Sequence, residues 1–287
     1  MAKYRIITDS CCDLTDAMIS KLNITVVPLN MLFRGELRTD SVGDDIKEVY
    51  AALRDGEAAS TSAANPDHWA SYIEPALAAG EDVLVMAFSS GLSTTYQSAV
   101  IAAGDLAEKY PQRRIHVVDT LCASLGEGLL VHYACQKRDN GMDLDTLAQW
   151  VEDNKLNLCH WFTVDDLMYL KRGGRVSAAT ALLGTVLQIK PVLHVDNEGH
   201  LINVAKARGR KASIEMLAKK MGETALPGKN DYVMICHGDC IQDAEYLAKL
   251  VKENFGVKEV FIGYTGAVIG SHSGPGTLAL FYLGEHR

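Results

Sequence analysis

No Gly-x-Gly-x-x-Gly fingerprint occurs in this chain, and Gly228-Lys229 runs on into Asn230 at a spacing no P-loop uses, so nucleotide binding has no signature. None of the 9 histidines forms a His-Glu-x-x-His pair, and Cys236-His237-Gly238-Asp239-Cys240 has no second ligand pair, so no metal site is expected. A basic excess is lacking too. Lys and Arg number 28 against 36 Asp and Glu, a net charge of −8 that repels polyanions and argues against DNA or RNA as a partner. Aromatic residues are only 7% of a chain that is 48% hydrophobic, so an internal cavity would have mainly aliphatic walls, which suit an acyl chain better than a nucleobase. Seven cysteines, an odd number without disulfide-domain spacing, read as reduced cytosolic thiols. The N-terminus lacks the apolar stretch of a secretory signal. The longest mostly apolar run, Val176 to Ile189, is too short for a membrane span and reads as a buried helix. A cytoplasmic protein is the expectation.

What is present is an alternation of strand and helix patterns. Strand-like runs at Tyr4–Thr8, Ile24–Leu29, Val83–Phe88 and Ile115–Val118 alternate with helical ones, which predicts crossover units and a mostly parallel sheet. Helix starts are marked by Asp13 or Thr15, by Ser41 before Asp44-Asp45, and by Asn65-Pro66. Val27 to Arg38 has no helical period and reads as extended chain beside the sheet. A strand at His160–Val164 leads to the basic turn Lys171-Arg172-Gly173-Gly174-Arg175, and Asp196-Asn197-Glu198-Gly199 joins two strands as a hairpin. Further helices at Lys211–Met221 and Ile241–Phe255, with strands near 232, 259 and 278, complete a second unit. The expected fold is α/β and two-lobed: an N-terminal lobe over 1–164, with a mostly parallel sheet and crossover helices, and a C-terminal α+β lobe over 165–287.

Three polar stretches read as tight turns able to hold an anion: Ser60-Thr61-Ser62, Ser89-Ser90-Gly91-Leu92-Ser93-Thr94-Thr95-Tyr96, and His272-Ser273-Gly274-Pro275-Gly276. The second follows a strand and precedes a helix, where free backbone N–H groups favour negative charge. Ser93 is expected to cap that helix, and Thr61 to precede another capped helix. His272 offers an imidazole donor in a turn rich in glycine. Two basic clusters, Lys171 to Arg175 and Lys206 to Lys211, are either solvated surface or local wells for a phosphate or an acidic partner. Gly91-Leu92-Ser93-Thr94-Thr95 resembles a nucleophile elbow, but Thr95 stands where that strained turn needs glycine, so a serine hydrolase using Ser93 and His272 is the second reading.

Asp9-Ser10-Cys11-Cys12-Asp13-Leu14, Thr61-Ser62, Ser89 to Ser93 with Thr95-Tyr96, Arg172-Gly173-Gly174-Arg175 and His272 to Gly276 together make the chain, over essentially its whole length, resemble the DegV family. The resemblance implies a two-lobed protein with one long-chain fatty acid in a tunnel between lobes. It also implies a non-enzymatic role as the lipid-binding subunit of a bacterial fatty acid kinase, whose catalytic subunit phosphorylates the bound acid before an acyl-phosphate acyltransferase receives it for phospholipid synthesis. Carried onto this chain, Thr61, Ser93, His272 and Arg208 would hold the carboxylate, supported by Ser62, Thr94 and Ser273. Arg172 and Arg175 would dock the partner. No cofactor, metal or catalytic residue is implied, and a peripheral membrane contact stays open, as does a lipid-sensing regulator without a kinase. The chain departs from the family pattern at Ala63-Ala64, where Gln-Pro commonly follows Thr-Ser, and at Thr94, where glycine is usual. Ser273 replaces a more usual threonine but keeps a hydroxyl.

Overall fold

The computed structural model of the protein describes residues 4–40, 42–43, 45–177 and 188–287. β1 (Tyr4–Asp9) runs through a 3-10 turn into α1 (Asp16–Leu22), whose first turn is closed by Met18 N donating to Thr15 Oγ1. β2 (Thr25–Val27) is followed by β3 (Asn30–Phe33), β4 (Glu36–Thr39), α2 (Ile46–Arg54) and β5 (Ala59–Ser62). β3 pairs antiparallel with β4 and β5 in a three-stranded sheet, so the stretch without helical period is a small sheet of its own. α3 (Pro66–Ala78) starts at Asn65, whose Oδ1 accepts from His68 N, with proline at the position where its missing N–H is harmless. β6 (Asp82–Ala87), α4 (Thr95–Lys109) and β7 (Ile115–Asp119) then complete a parallel sheet of order β2-β1-β6-β7.

The strand period of two assigns the faces of that sheet. On β6, Val83, Val85 and Ala87 pack with Trp69 and Ile73 of α3 and Ala99 and Leu106 of α4, whereas Leu84 and Met86 point into the opposite cluster. That cluster contains α5 (Leu125–Asp139) and α6 (Leu144–Asn154). Covering on both faces explains why every residue of β6 is buried and why its sequence is a continuous apolar run after Asp82.

The second unit has β8 (Leu158–Thr163), α7 (Leu167–Arg172), β9 (Ile189–Val195), β10 (Leu201–Arg208), α8 (Arg210–Thr224), β11 (Tyr232–His237), α9 (Ile241–Phe255), β12 (Glu259–Tyr264), α10 (Ala267–Ser273) and β13 (Leu278–Leu283). Its sheet has the order β10-β9-β8-β13-β11-β12 and is antiparallel except for the β11–β12 pair. β9 and β10 form the expected hairpin. On β13, Leu278, Leu280 and Tyr282 face α8 and α9, and Ala279 and Phe281 face α5. α5 therefore lies between the two large sheets, which accounts for its run Leu125 to Val131 being buried without a polar face. The expected boundary after 164 is corrected by this topology: β8 hydrogen-bonds in the second sheet, so the first unit ends before Leu158. The expected helix start at Ser41 falls outside the described residues, as does the middle, 178–187, of the expected buried helix Val176–Ile189.

Four carboxylates, Asp9, Asp13, Asp40 and Glu127, are buried where β1 meets α5 and α10. Asp9 receives the N–H groups of Cys11 and Phe88, Asp40 that of Val268, and Glu127 the hydroxyl of Thr8. Burial raises the Asp9 pKa to about 7 and that of Glu127 well above its ordinary value, and the Oε2 atom of Glu127 has no hydrogen-bond partner. A carboxyl with a raised pKa holds a proton that the unfolded chain has released. Its stabilising contribution is full below the unfolded pKa and is lost as pH rises through the folded one. Glu127→Gln, which keeps the Thr8 contact and carries no charge, should gain stability relative to the natural protein as pH rises, by up to about 1.4 kcal/mol per pH unit. Paired denaturation curves from pH 5 to pH 9 check this, and a stability difference that stays constant or reverses would contradict it.

Candidate functional site

Between the two large sheets and the small one lies a cavity of about 510 Å³. Its walls are largely apolar: Leu29, Phe88 and Leu92 from the first unit, Phe162, Val195 and Phe281 from the second. At its inner side the polar groups are mutually satisfied. Ser124 hydrogen-bonds Asp13, and the Thr265 hydroxyl donates to Cys236 Sγ at 3.1 Å. His160 bonds Leu158 O through Nδ1 at 2.9 Å, leaving Nε2 to accept from Ala123 N, and burial holds its pKa well below the ordinary value, so the ring is neutral. The other end of the cavity is lined by Thr61, Ser62, Ser93, Thr94, His272 and Ser273.

Thr61 sits on β5, not on the expected turn, and the alternation of that strand aims its side chain at α10. Its Oγ1 lies 2.7 Å from His272 Nε2, a contact spanning 211 residues of sequence. The imidazole is half-buried, and burial first, with the nearby Arg175 charge second, lowers its pKa to about 4. His272 is neutral at pH 7. Gly173 makes this position fit, since a Cβ there would lie 2.1 Å from His272 Nδ1. Ser93, expected to cap α4, lies two residues before its first turn. Thr94 is the N-cap residue and makes no side-chain cap bond, while Ser93 Oγ accepts from Thr95 N at 3.2 Å and lies 2.8 Å from Thr95 Oγ1.

The two hydroxyls are thus supported from behind. With Nε2 carrying the proton, His272 donates to Thr61, and with Thr95 donating, Ser93 accepts from both polar groups of Thr95. The protons of Thr61 and Ser93 are then left to donate into the cavity. Arg175, expected at a docking surface, is instead a half-buried lining residue: its Nε and Nη2 donate to Leu92 O at 3.1 and 2.9 Å, and Nη1 donates to Gly173 O. Burial lowers its pKa from the ordinary value, yet a guanidinium keeps its charge. Arg208, expected at the carboxylate, stands exposed at the end of β10, outside the cavity lining. Arg172 is exposed beside the cavity mouth.

The serine and histidine of the hydrolase reading, Ser93 and His272, are not hydrogen-bonded to each other. His272 bonds Thr61, Ser93 bonds Thr95, and the charge nearest the ring is a cation rather than the carboxylate that would orient a hydrolase histidine. Among the described residues one group, Asp196, Glu198 and His200 on the β9–β10 hairpin, brings ligand-type atoms within 4.8 Å of one another; two of the three are exposed, and nothing else points to an ion there. All seven cysteines are free, and no helix among the described residues is long and apolar enough to cross a membrane.

The fold and the cavity define an α/β protein with a largely apolar cavity that has hydroxyl and imidazole groups at one end. Its family follows from comparison: the DegV family model, described as "Uncharacterised protein, DegV family", matches residues 3–285, and the chain belongs to that family. A DegV domain-containing protein of Clostridium perfringens is 44% identical over 100% of this chain and 99% of its own. A DegV family protein of Thermus thermophilus, whose structure is described as showing fatty acid binding, superposes with a TM-score of 0.87 at 31% identity, covering 98% of this chain and 99% of that one. The Fatty Acid Kinase B3 protein of Streptococcus pneumoniae, loaded with linoleic acid, shares the fold with a TM-score of 0.85 at 21% identity over 99% and 100% of the two chains.

The electrostatics make a direct prediction. In an NMR titration His272 should protonate near pH 4, and Arg175→Gln should move that midpoint upward while burial keeps it below the ordinary 6.5. A His272 midpoint at or above 6.5 in the natural protein would contradict the neutral imidazole.

Proposed function

We propose that the protein binds one long-chain fatty acid, its tail in the apolar cavity and its carboxylate at Thr61 and Ser93, with Ser62, Thr94 and Ser273 around it. The observation that carries this reading is the Thr61–His272 contact at the polar end of an otherwise apolar cavity. His272 acts through Thr61, and Arg175 supplies the compensating charge in place of Arg208. The N-terminus of α4 adds its partial positive charge beside Ser93.

The division of energies favours a carrier that both holds and presents its ligand. Each buried CH₂ contributes about 0.8 kcal/mol, so a tail of some fifteen supplies roughly 12 kcal/mol before the costs of binding. A hydrogen bond to a charged group contributes about 1.5–3 kcal/mol. The tail sets retention and the donors set where the carboxylate points. A carboxylate is itself a nucleophile, so transfer of a phosphoryl group to it requires no general base, in keeping with a neutral His272. The ATP cradle has no signature in this chain, which supports a separate ATP-dependent fatty acid kinase as partner, working in the cytoplasm, with an acyl-phosphate acyltransferase as the receiver and a transient membrane contact at loading or release. The exposed Arg172 lies on the side from which the kinase would approach.

Native mass spectrometry of protein purified from a heterologous host should find one fatty acid bound. Ser93→Ala and His272→Ala should keep much of that lipid yet lose on the order of a hundredfold in acyl-phosphate formation with the kinase, because a misplacement of about 1 Å has that effect. Empty protein that also fails to take up palmitate or oleate would overturn the carrier reading, whereas wild-type phosphorylation of both variants would overturn the head-group assignment.

A further inference from the structure

The inner side of the cavity holds a line of polar groups for which an unsubstituted acyl tail has no use. Thr265 Oγ1 lies 3.1 Å from Cys236 Sγ, Cys236 Sγ lies 3.3 Å from Ser124 Oγ, and Ser124 Oγ bonds Asp13 Oδ2. Thr265, Cys236 and Ser124 all line the cavity, and Asp13 is buried behind them. We propose that this line receives a hydroxyl carried in the middle of the acyl chain, so that the ligand class of the protein includes mid-chain hydroxylated fatty acids. The inference rests on the carrier reading above and adds a second polar anchor to it.

The line is one hydrogen-bonding group short. It has three links: Thr265 to Cys236, Cys236 to Ser124, and Ser124 to Asp13. With Asp13 ionised, the two hydroxyls and the thiol fill these links in one direction, and the Thr265 hydroxyl oxygen then accepts from nothing among the described residues. Burial raises the Asp13 pKa well above its ordinary value, and with that proton on Oδ2 the line holds one proton more than it has links. The surplus proton, on Thr265 or Cys236, has no acceptor. A ligand hydroxyl both donates and accepts, so it completes the line in either state, whereas a methylene completes it in neither. A hydroxyl buried against the apolar walls instead would lose its hydrogen bonds to water without replacement.

The place of the hydroxyl on the chain follows from α10. Thr265, Val268, Ile269 and His272 line the cavity at successive turns of this segment, so the cavity runs along it. From Thr265 to His272 the segment rises about 10 Å at about 1.5 Å per residue. An extended chain advances about 1.2 Å per bond, a third of the span of one residue, so a carboxylate at Thr61 and Ser93 brings about carbon 10 level with Thr265. Between the two polar ends the same face of α10 presents Val268 and Ile269, an apolar stretch against which carbons nearer the head group lie. The line itself is fixed in place: Tyr50 donates its hydroxyl to Thr265 O at 2.8 Å, and Gly266 packs so closely that a Cβ there would lie 2.5 Å from Asp13 Oδ1.

The test uses delipidated full-length protein and three probes: octadecanoate, 10-hydroxyoctadecanoate and 6-hydroxyoctadecanoate. Displacement of a fluorescent fatty acid gives the three affinities. The natural protein should bind the 10-hydroxy acid within about threefold of octadecanoate or more tightly, and the 6-hydroxy acid about tenfold or more weakly, the size of one buried hydroxyl left without a partner. Thr265→Val, which keeps the shape of the side chain and removes its hydroxyl, should lower the affinity for the 10-hydroxy acid relative to octadecanoate by about tenfold, and Thr265→Ser should restore it. The comparison of the two hydroxy acids on the natural protein needs no variant, so it decides even where Thr265→Val fails to fold. Equal penalties for the two hydroxy acids, or an affinity ratio that Thr265→Val leaves unchanged, would overturn the hydroxyl site and leave the carrier reading intact. Failure of the natural protein to bind any of the three would overturn both.

Discussion

The hydrogen bond between Thr61 and His272 joins the small three-stranded sheet to the short helix α10, and so ties two elements 211 residues apart in sequence at the polar end of the cavity. Several otherwise unrelated features exist to permit it. Gly173 has no side chain because the imidazole occupies the space a Cβ would take. α10 ends at Gly274, which takes up a left-handed φ of 81° and turns the chain away within one residue of the helix. Burial keeps the ring uncharged, so it can support a hydroxyl without competing with Arg175 for an anion. Moving any one of these would misplace the donor without emptying the cavity.

On the proposed reading, retention and orientation fall to different parts of the molecule. The apolar walls come from both large sheets and from the elements on either side of α5, and they make a site that has little preference for where along the cavity a tail slides. The polar end supplies that preference. Two of its hydroxyls, Thr61 and Ser93, are each backed by a second group, and the inner side of the cavity carries polar atoms that already have partners within the protein. An amphiphile with one anionic end is the ligand class for which such an asymmetry matters.

Much of this was legible from the residues alone, and the failures have physical causes. The parallel sheet could be read because strand-like runs alternate with helical ones, as crossover connections between parallel strands require. Ser60-Thr61-Ser62 read as a turn because small hydroxyl residues are common there, yet pairing of Thr61 with Met31 on β3 decided in favour of a strand, an influence that no local window contains. Arg175 and Arg208 could not be told apart for a similar reason: both stand in basic clusters, and only the tertiary path of the chain beyond α7 turns Arg175 inward onto Leu92 O while Arg208 ends an edge strand. β8 was assigned to the wrong unit because its partners, β13 and β9, come later in the chain. Gly173 was visible as part of a motif, but its role depends on an imidazole 99 positions away in sequence.

The central claim concerns where the carboxylate sits, and palmitate labelled with carbon-13 at its carboxyl tests it most directly. Bound to the natural protein, the labelled carbon should give one resonance that does not titrate from about pH 6 to pH 8, above the ordinary carboxylate range, and that shifts in Thr61→Val and in His272→Ala while the ligand stays bound. A bound resonance that neither substitution moves, or one that titrates between about pH 6 and pH 8, would contradict the account.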